Sequence, residues 1–322
     1  MVVEVSHLKV SYFTRKGELK AVDDVSFSMG EGETIGIVGE SGCGKTTLGF
    51  AMSNLISPPG RIVDGTVKLN GRDVLKLESE DLRRVRGKQI AMIFQDPMTS
   101  LNPVKKIGDH FVETIRAHFP EVRKEDSLKK AEETLEQLGI PSERLGDYPH
   151  QLSGGMKQRI MIGLGLVLDP EVLIADEPTT ALDVIIEAQI LDLIGQLKAK
   201  LKLSMVLITH NLGVVAEVAD KIAIMYAGQI MELADAKTLF RHPLFPYTQL
   251  LLKMVPNLET ETASLEWIPG SPPDLTLEQR GCRFAPRCPY VFDRCKKEAP
   301  QLREVEPGHL VACHLYDSGQ EK

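Results

Sequence analysis

Basic charge, long apolar runs and cysteine are all in short supply in this 322-residue sequence, and each shortage excludes something. Lys and Arg number 38 against 45 Asp and Glu, a net charge of −7, so no global attraction to nucleic acid or anionic lipid is expected. The longest uncharged apolar run, "IMIGLGLVL" at 160–168, falls far short of a bilayer span. The opening "MVVEVSHLKV" lacks the basic and apolar regions of a signal peptide, so a cytoplasmic chain is expected. Only five cysteines are present, and in that reducing compartment a structural disulfide is disfavoured. Internal repeats and low-complexity segments are also missing. What remains is the balance of a globular protein, 43% hydrophobic and 26% charged, long enough for roughly two domains.

Through the first 240 residues strand-like and helix-like segments alternate. "TIGIVGE" (34–40), "IAMIFQ" (90–95), "EVLIADE" (171–177) and "SMVLITH" (204–210) are short apolar runs suited to strands buried on both faces. "GKTTLGFAMSNLI" and "VIIEAQILDLIGQLKAKLK" (184–202) read as helices, so an α/β domain around a largely parallel sheet is predicted. "EVSHLKVSYF" and "AVDDVSFSM" alternate instead, as one-face-buried antiparallel strands do. Between Asn102 and Asp169 the pattern is helical, with "DSLKKAEETLEQLGI" clearest, which predicts an inserted helical subdomain. After Arg241 proline becomes frequent, and a tail of about 80 residues with little core signal needs a staple.

"GESGCGKT" (39–46) fits G-x-x-x-x-G-K-[ST], after a predicted strand and at the start of a predicted helix. Backbone N–H groups of Gly39, Glu40, Ser41, Gly42, Cys43 and Gly44, with Thr47 just beyond, would close around phosphates at the positive helix end. Cys43 occupies a variable position and reads as a small filler. Lys45 is placed to reach the β- and γ-phosphates of ATP, and the Thr46 hydroxyl to ligate Mg²⁺. "VLIADE" puts Asp176 at a strand's carboxyl end, as a further Mg²⁺ ligand, and Glu177 next to it, able to polarise water. Two adjacent acids are common in solvated loops; beside a phosphate loop they read as nucleotide hydrolysis.

"LSGGMKQR" (152–159) resembles the signature sequence of the ABC ATPases, and further family motifs follow in order. Gln95 in "FQDP" is similar to the Q-loop glutamine, Asp183 in "ALD" to the D-loop aspartate, and His210 in "LITH" to the switch histidine. Tyr12 matches the aromatic residue that stacks on adenine, although a strand tyrosine also serves plain packing. The resemblance implies a P-loop ABC-type nucleotide-binding domain over residues 1–240, with the helical subdomain at about 102–169. It further implies two such domains head to tail with two ATPs between them. Ser153 and the backbone of Gly154 and Gly155 of one would meet the γ-phosphate held by the other, and Asp183 would be among the nucleotide-binding residues. His210 would align γ-phosphate and water with Glu177, and Gln95 would touch Mg²⁺ and relay movement to a membrane subunit. DNA-repair ABC ATPases dimerise around ATP too. They usually carry a long coiled-coil or zinc insertion, whereas this chain has a compact insert and no basic stripe, so transport is favoured.

"QDPMTSLNP", "HPLFPYTQLLL", "IPGSPPDL" and "GCRFAPRCP" resemble the ATP-binding subunits of bacterial dipeptide and oligopeptide importers, over essentially the whole chain. Nickel importers, with shorter ATPases, are the runner-up. The family implies a small C-terminal domain (241–322) and a second ATPase subunit, either a paralogue or another copy. Two transmembrane permease subunits, fed by an extracytoplasmic peptide-binding protein, would place the chain on the cytoplasmic face of the membrane. Cys282, Cys288 and Cys295, spaced six and seven apart, and Cys313 do not form the close pairs typical of zinc. They suit a larger cluster, and the resemblance implies a four-iron, four-sulfur one; zinc, with His309 or His314 replacing a thiolate, stays as the alternative. The cluster is expected to be structural, and because no phosphate-site motif lies beyond His210, hydrolysis is expected not to need it.

Overall fold

The computed structural model describes residues 1–95, 100–179, 183–254 and 268–317. Two sheets organise them. Strands β1 (Val3–Thr14), β2 (Gly17–Met29), β4 (Gly60–Leu69) and β5 (Arg72–Asp73) form an antiparallel sheet in the order β2-β1-β4-β5. The larger sheet has eight strands in the order β11-β12-β10-β9-β3-β8-β7-β6. Its parallel part comprises β3 (Thr34–Val38), β6 (Ile90–Ile93), β7 (Val172–Asp176), β8 (Ser204–Thr209) and β9 (Lys221–Tyr226). β10 (Gln229–Asp235), β11 (Arg303–Glu306) and β12 (His309–Val311) continue it antiparallel.

The apolar runs of the sequence follow from this sheet's position between two cores. Along β7, Val172 and Ile174 point into one core while Leu173 and Ala175 point into the other. β8 divides likewise, with Val206 and Ile208 opposite Met205 and Leu207. A strand whose alternate side chains are both covered has no polar face, so the period of two vanishes from its sequence. The core toward the antiparallel sheet takes β1, β2 and the helix Lys45–Met52. The opposite core takes the helices Ile107–His118, Lys124–Gln137 and Gly154–Leu166, which occupy the predicted helical insert.

The tail is less separate than its composition implies. β12 pairs with β10, and β11 with β12, so the chain's last strands extend the central sheet. Phe284, wholly buried, sits among Tyr226, Phe245 and Tyr247 with ring centroids 5.2, 5.7 and 5.4 Å away. Such aromatic pairs contribute about 0.5–1.5 kcal/mol each beyond the area they bury. The composition change near residue 240 thus marks no break in packing. Glu232 ties the same region together: it is fully buried, faces His309 Nε2 at 2.7 Å and accepts from the backbone N–H of Leu244 and Phe245. Among the described residues, no helix is long and apolar enough to cross a membrane.

Candidate functional site

The phosphate loop leaves the carboxyl end of β3 and enters the helix at Lys45. Two glycines are required by close approach. A Cβ on Gly39 would lie 2.1 Å from the Met225 carbonyl, and one on Gly44, whose φ is +105°, 2.1 Å from that of Ala21. Lys45 is 5% exposed, and its ammonium donates to the carbonyls of Gly39 (2.8 Å) and Glu40 (3.0 Å). The Thr46 hydroxyl donates to Asp176 Oδ1 at 3.2 Å. Burial pushes the Asp176 carboxyl up to about 6, opposed by the Thr46 hydrogen bond and by Lys45 and reinforced by Glu177. Cys43 is buried and its thiol is likewise raised by desolvation, which suits a filler.

Glu177 gathers the remaining motifs. Its backbone has φ +45°, and its N–H donates to the Ile208 carbonyl at 2.8 Å, which turns the side chain out of the strand end. Gln95 Nε2 donates to Glu177 Oε2 at 2.9 Å, and His210 Nδ1 lies 3.3 Å from Oε1. Residues 82 and 33 positions away thus meet on one carboxylate. A cavity of about 230 Å³ joins Tyr12, Leu19, Ala21, Ser41, Gly42, Gly44, Lys45, Thr46, Thr47, Gln95 and Glu177. Tyr12 crosses Gly60 so closely that a Cβ there would lie 2.7 Å from its ring.

Ser153, Gly154, Gly155 and Asp183 do not line that cavity. Ser153 caps the helix Gly154–Leu166 by accepting from the Met156 N–H, and Asp183 caps Val184–Leu201 by accepting from that of Ile186. Ser153, Gly154 and Asp183 are exposed, so their outer faces are open to a partner. The remainder of "ALD" and residues 96–99 of "QDPMTSLNP" lie outside the described residues.

The tail, although it carries no phosphate-site motif, touches this site. Arg287 donates to both carboxylate oxygens of Glu40, Nη1 to Oε2 at 2.7 Å and Nη2 to Oε1 at 2.9 Å. Tyr247 Oη accepts from the Glu40 N–H at 2.9 Å. Arg283 donates to the Asp23 carboxylate and the Ala227 carbonyl. No local pattern marks these residues: an arginine in a polar tail reads as solvated until its partner, 247 positions away, is known. The contact is set by topology. β9 runs parallel beside β3, so the end of β9, where Tyr226 joins the tail's aromatic cluster, adjoins the phosphate loop.

The four tail cysteines are free. Burial pushes the Cys282 thiol up to about 11 and the Cys313 thiol up to about 12. Cys313 also feels negative potential from Cys282, Cys288 and Cys295. Among the described residues no three His, Cys, Asp or Glu side chains are arranged to hold a metal ion. Both histidines of the zinc alternative are engaged elsewhere. His309 faces Glu232, while His314 lies 2.8 Å from Asp317 through Nδ1 and 2.9 Å from the Glu298 carbonyl through Nε2.

The ABC transporter family profile matches residues 22–180, and the profile of the oligopeptide/dipeptide transporter C-terminal region matches residues 231–295. The oligopeptide transport ATP-binding protein OppD of Salmonella typhimurium is 44% identical over 97% of this chain and 93% of its own length. The chain belongs to the oligopeptide/dipeptide transporter family of ABC ATPases. Within that family, the dipeptide transport ATP-binding protein DppD of Bacillus subtilis is 45% identical over 99% of this chain and 96% of its own length. A dimeric ATP-binding cassette in a post-hydrolysis state, bound to ADP and Pi, superposes with a TM-score of 0.65 at 25% identity, covering 73% of this chain and 98% of that one. The α/β ABC ATPase fold and an ATP-hydrolysing role therefore stand for this chain.

Proposed function

We propose that this chain binds Mg-ATP through Lys45, Thr46 and Asp176, polarises the attacking water with Glu177, and so drives import of di- or oligopeptides through a membrane permease. One observation carries the chemistry: the Glu177 carboxylate is held between Gln95 and His210 in the cavity that contains Lys45 and Thr46. A carboxylate fixed by two neighbours keeps its orientation when water arrives, which is what a general base requires. Asp176, buried beside the Thr46 hydroxyl, is the kind of acid that a divalent cation completes. Tyr12 on the cavity wall suits the adenine.

Ser153, Gly154, Gly155 and Asp183, absent from that cavity and mostly exposed, serve the ATP of a second subunit in this reading. ATP then joins two subunits and hydrolysis parts them. The peptide substrate is supported by the names of the relatives and by the C-terminal profile. The same family membership supports two permease subunits, an extracytoplasmic binding protein acting through them, and a peripheral place on the cytoplasmic face. The test is uptake into right-side-out membrane vesicles that contain the chain, its partner ATPase subunit and the permease, with the binding protein outside and ATP enclosed. Labelled peptide should accumulate with the intact chain and not with Glu177→Gln. Uptake of labelled nickel alone would replace the peptide reading.

Residues 241–322 form, in the same reading, a C-terminal unit stapled by a four-iron, four-sulfur cluster on Cys282, Cys288, Cys295 and Cys313. The donor set fits such a group. Four unpaired thiols supply its donor set, and neither His309 nor His314 is free to replace one. When bound, the group supplies a covalent tie among the short segments that carry these cysteines. Anaerobically purified protein should be brown, with iron and acid-labile sulfide in about equal amounts. A colourless protein with one zinc would overturn this assignment.

A further inference from the structure

We infer that the tail completes the phosphate loop: Arg287 is a positioning residue that neutralises and orients Glu40, and thereby sets nucleotide affinity. The inference rests on reading residues 39–46 as the phosphate site.

Glu40 places a carboxylate in the loop that is to receive the most negative part of the ligand. Left unpaired, it would oppose the phosphates. Arg287 meets it with a two-pronged, charge-assisted contact, and the Arg287 side chain is only 4% exposed. The arginine is itself fixed: Nε donates to the Pro269 carbonyl at 2.9 Å, and Nη1 reaches Tyr226 Oη at 3.2 Å. Hydrogen bonding to Glu40 holds the guanidinium above its ordinary pKa.

The backbone of Glu40 is held as well. Its N–H donates to Tyr247 Oη, while its carbonyl accepts from the Lys45 ammonium. Two of the three polar groups of Glu40 are thus set by residues beyond 240, and the third positions the lysine. A shift at Arg287 or Tyr247 would reach Lys45 through one residue. Arg287 also directly precedes Cys288, so whatever ties that cysteine down fixes the arginine.

The test is titration of the full-length chain with Mg-ATP, measured alongside kcat, KM and thermal stability. Arg287→Gln should raise the dissociation constant about tenfold, with the penalty shrinking at high salt because a screened carboxylate repels less. Adding Glu40→Gln should return affinity to within about threefold of wild type, since the repelling charge is gone. A merely structural bolt gives the opposite pattern: the double variant binds no better than Arg287→Gln and salt has no effect. That result, or unchanged affinity in Arg287→Gln, overturns the inference. Should Arg287→Gln not fold, Arg287→Lys carries the test. A smaller loss that Glu40→Gln repairs supports the proposal; no loss, or an unrepaired one, sinks it. Lys45→Ala separates the two levels. If it binds Mg-ATP like wild type, the phosphate-site reading fails; if it loses affinity while Arg287 variants do not, only the role of Arg287 fails.

Discussion

The phosphate loop and the cysteine-bearing tail meet at Glu40, yet they are built on opposite principles. The loop works through its own backbone: glycines that tolerate close approach, N–H groups at a helix start, and a lysine five residues from one of its carbonyl partners. The tail works through side chains that cross great sequence separation, with Arg287 reaching Glu40 and Arg283 reaching Asp23. A local device survives changes around it because its geometry is encoded in adjacent residues. A long-range device depends on the packing that brings its ends together. The comparison teaches that the tail can influence the site without contributing any catalytic group to it.

Four substitutions can break or sharpen that contrast. The largest effect is expected within the site. Glu177→Gln should cut turnover by about 10²–10⁴-fold while nucleotide binding persists, and chromatography in Mg-ATP should show a stable dimer. Wild-type phosphate release would remove Glu177 from the role of base. Next, Ser153→Arg should abolish that dimer and its hydrolysis while leaving nucleotide affinity of the single chain nearly intact. Equal loss of affinity in the single chain would put Ser153 in its own cavity.

On the tail side, Phe284→Ala removes the wholly buried ring among Tyr226, Phe245 and Tyr247. Denaturant unfolding should show a loss of about 3–5 kcal/mol. Affinity for Mg-ATP should fall with it, because Tyr247 and Arg287 lose their footing; unchanged affinity would mean that the loop stands independently. The smallest effect is expected for Cys288→Ser. It should release bound iron and sulfide and make the tail more sensitive to protease, with Mg-ATP affinity falling only a few-fold. Iron retained in full would exclude Cys288 as a ligand.

The legible part of the fold was the part governed by local rules. Apolar runs at 34–38, 172–176 and 204–209 are strands because both faces are covered, and the alternating N-terminal segments are antiparallel because one face is not. The strands β9 and β10 and the sheet extension by β11 and β12 left weaker traces. β11 and β12 are four and three residues long, and the pairing of β12 with β10 rests on partners more than 70 positions away.

The sequence by itself determined the nucleotide chemistry. Lys45, Thr46, Asp176, Glu177, Gln95 and His210 each sit in a motif whose spacing, or whose position at a strand end, presets where the side chain emerges. Tertiary structure alone decided that Gln95 and His210 share the Glu177 carboxylate, that His309 belongs to Glu232 rather than to the cysteines, and that Arg287 closes on Glu40. The physical reason is one of range. A backbone turn is fixed by the residues that make it, whereas a buried ion pair exists only where the whole sheet and its covering segments place two charges together and exclude water from them.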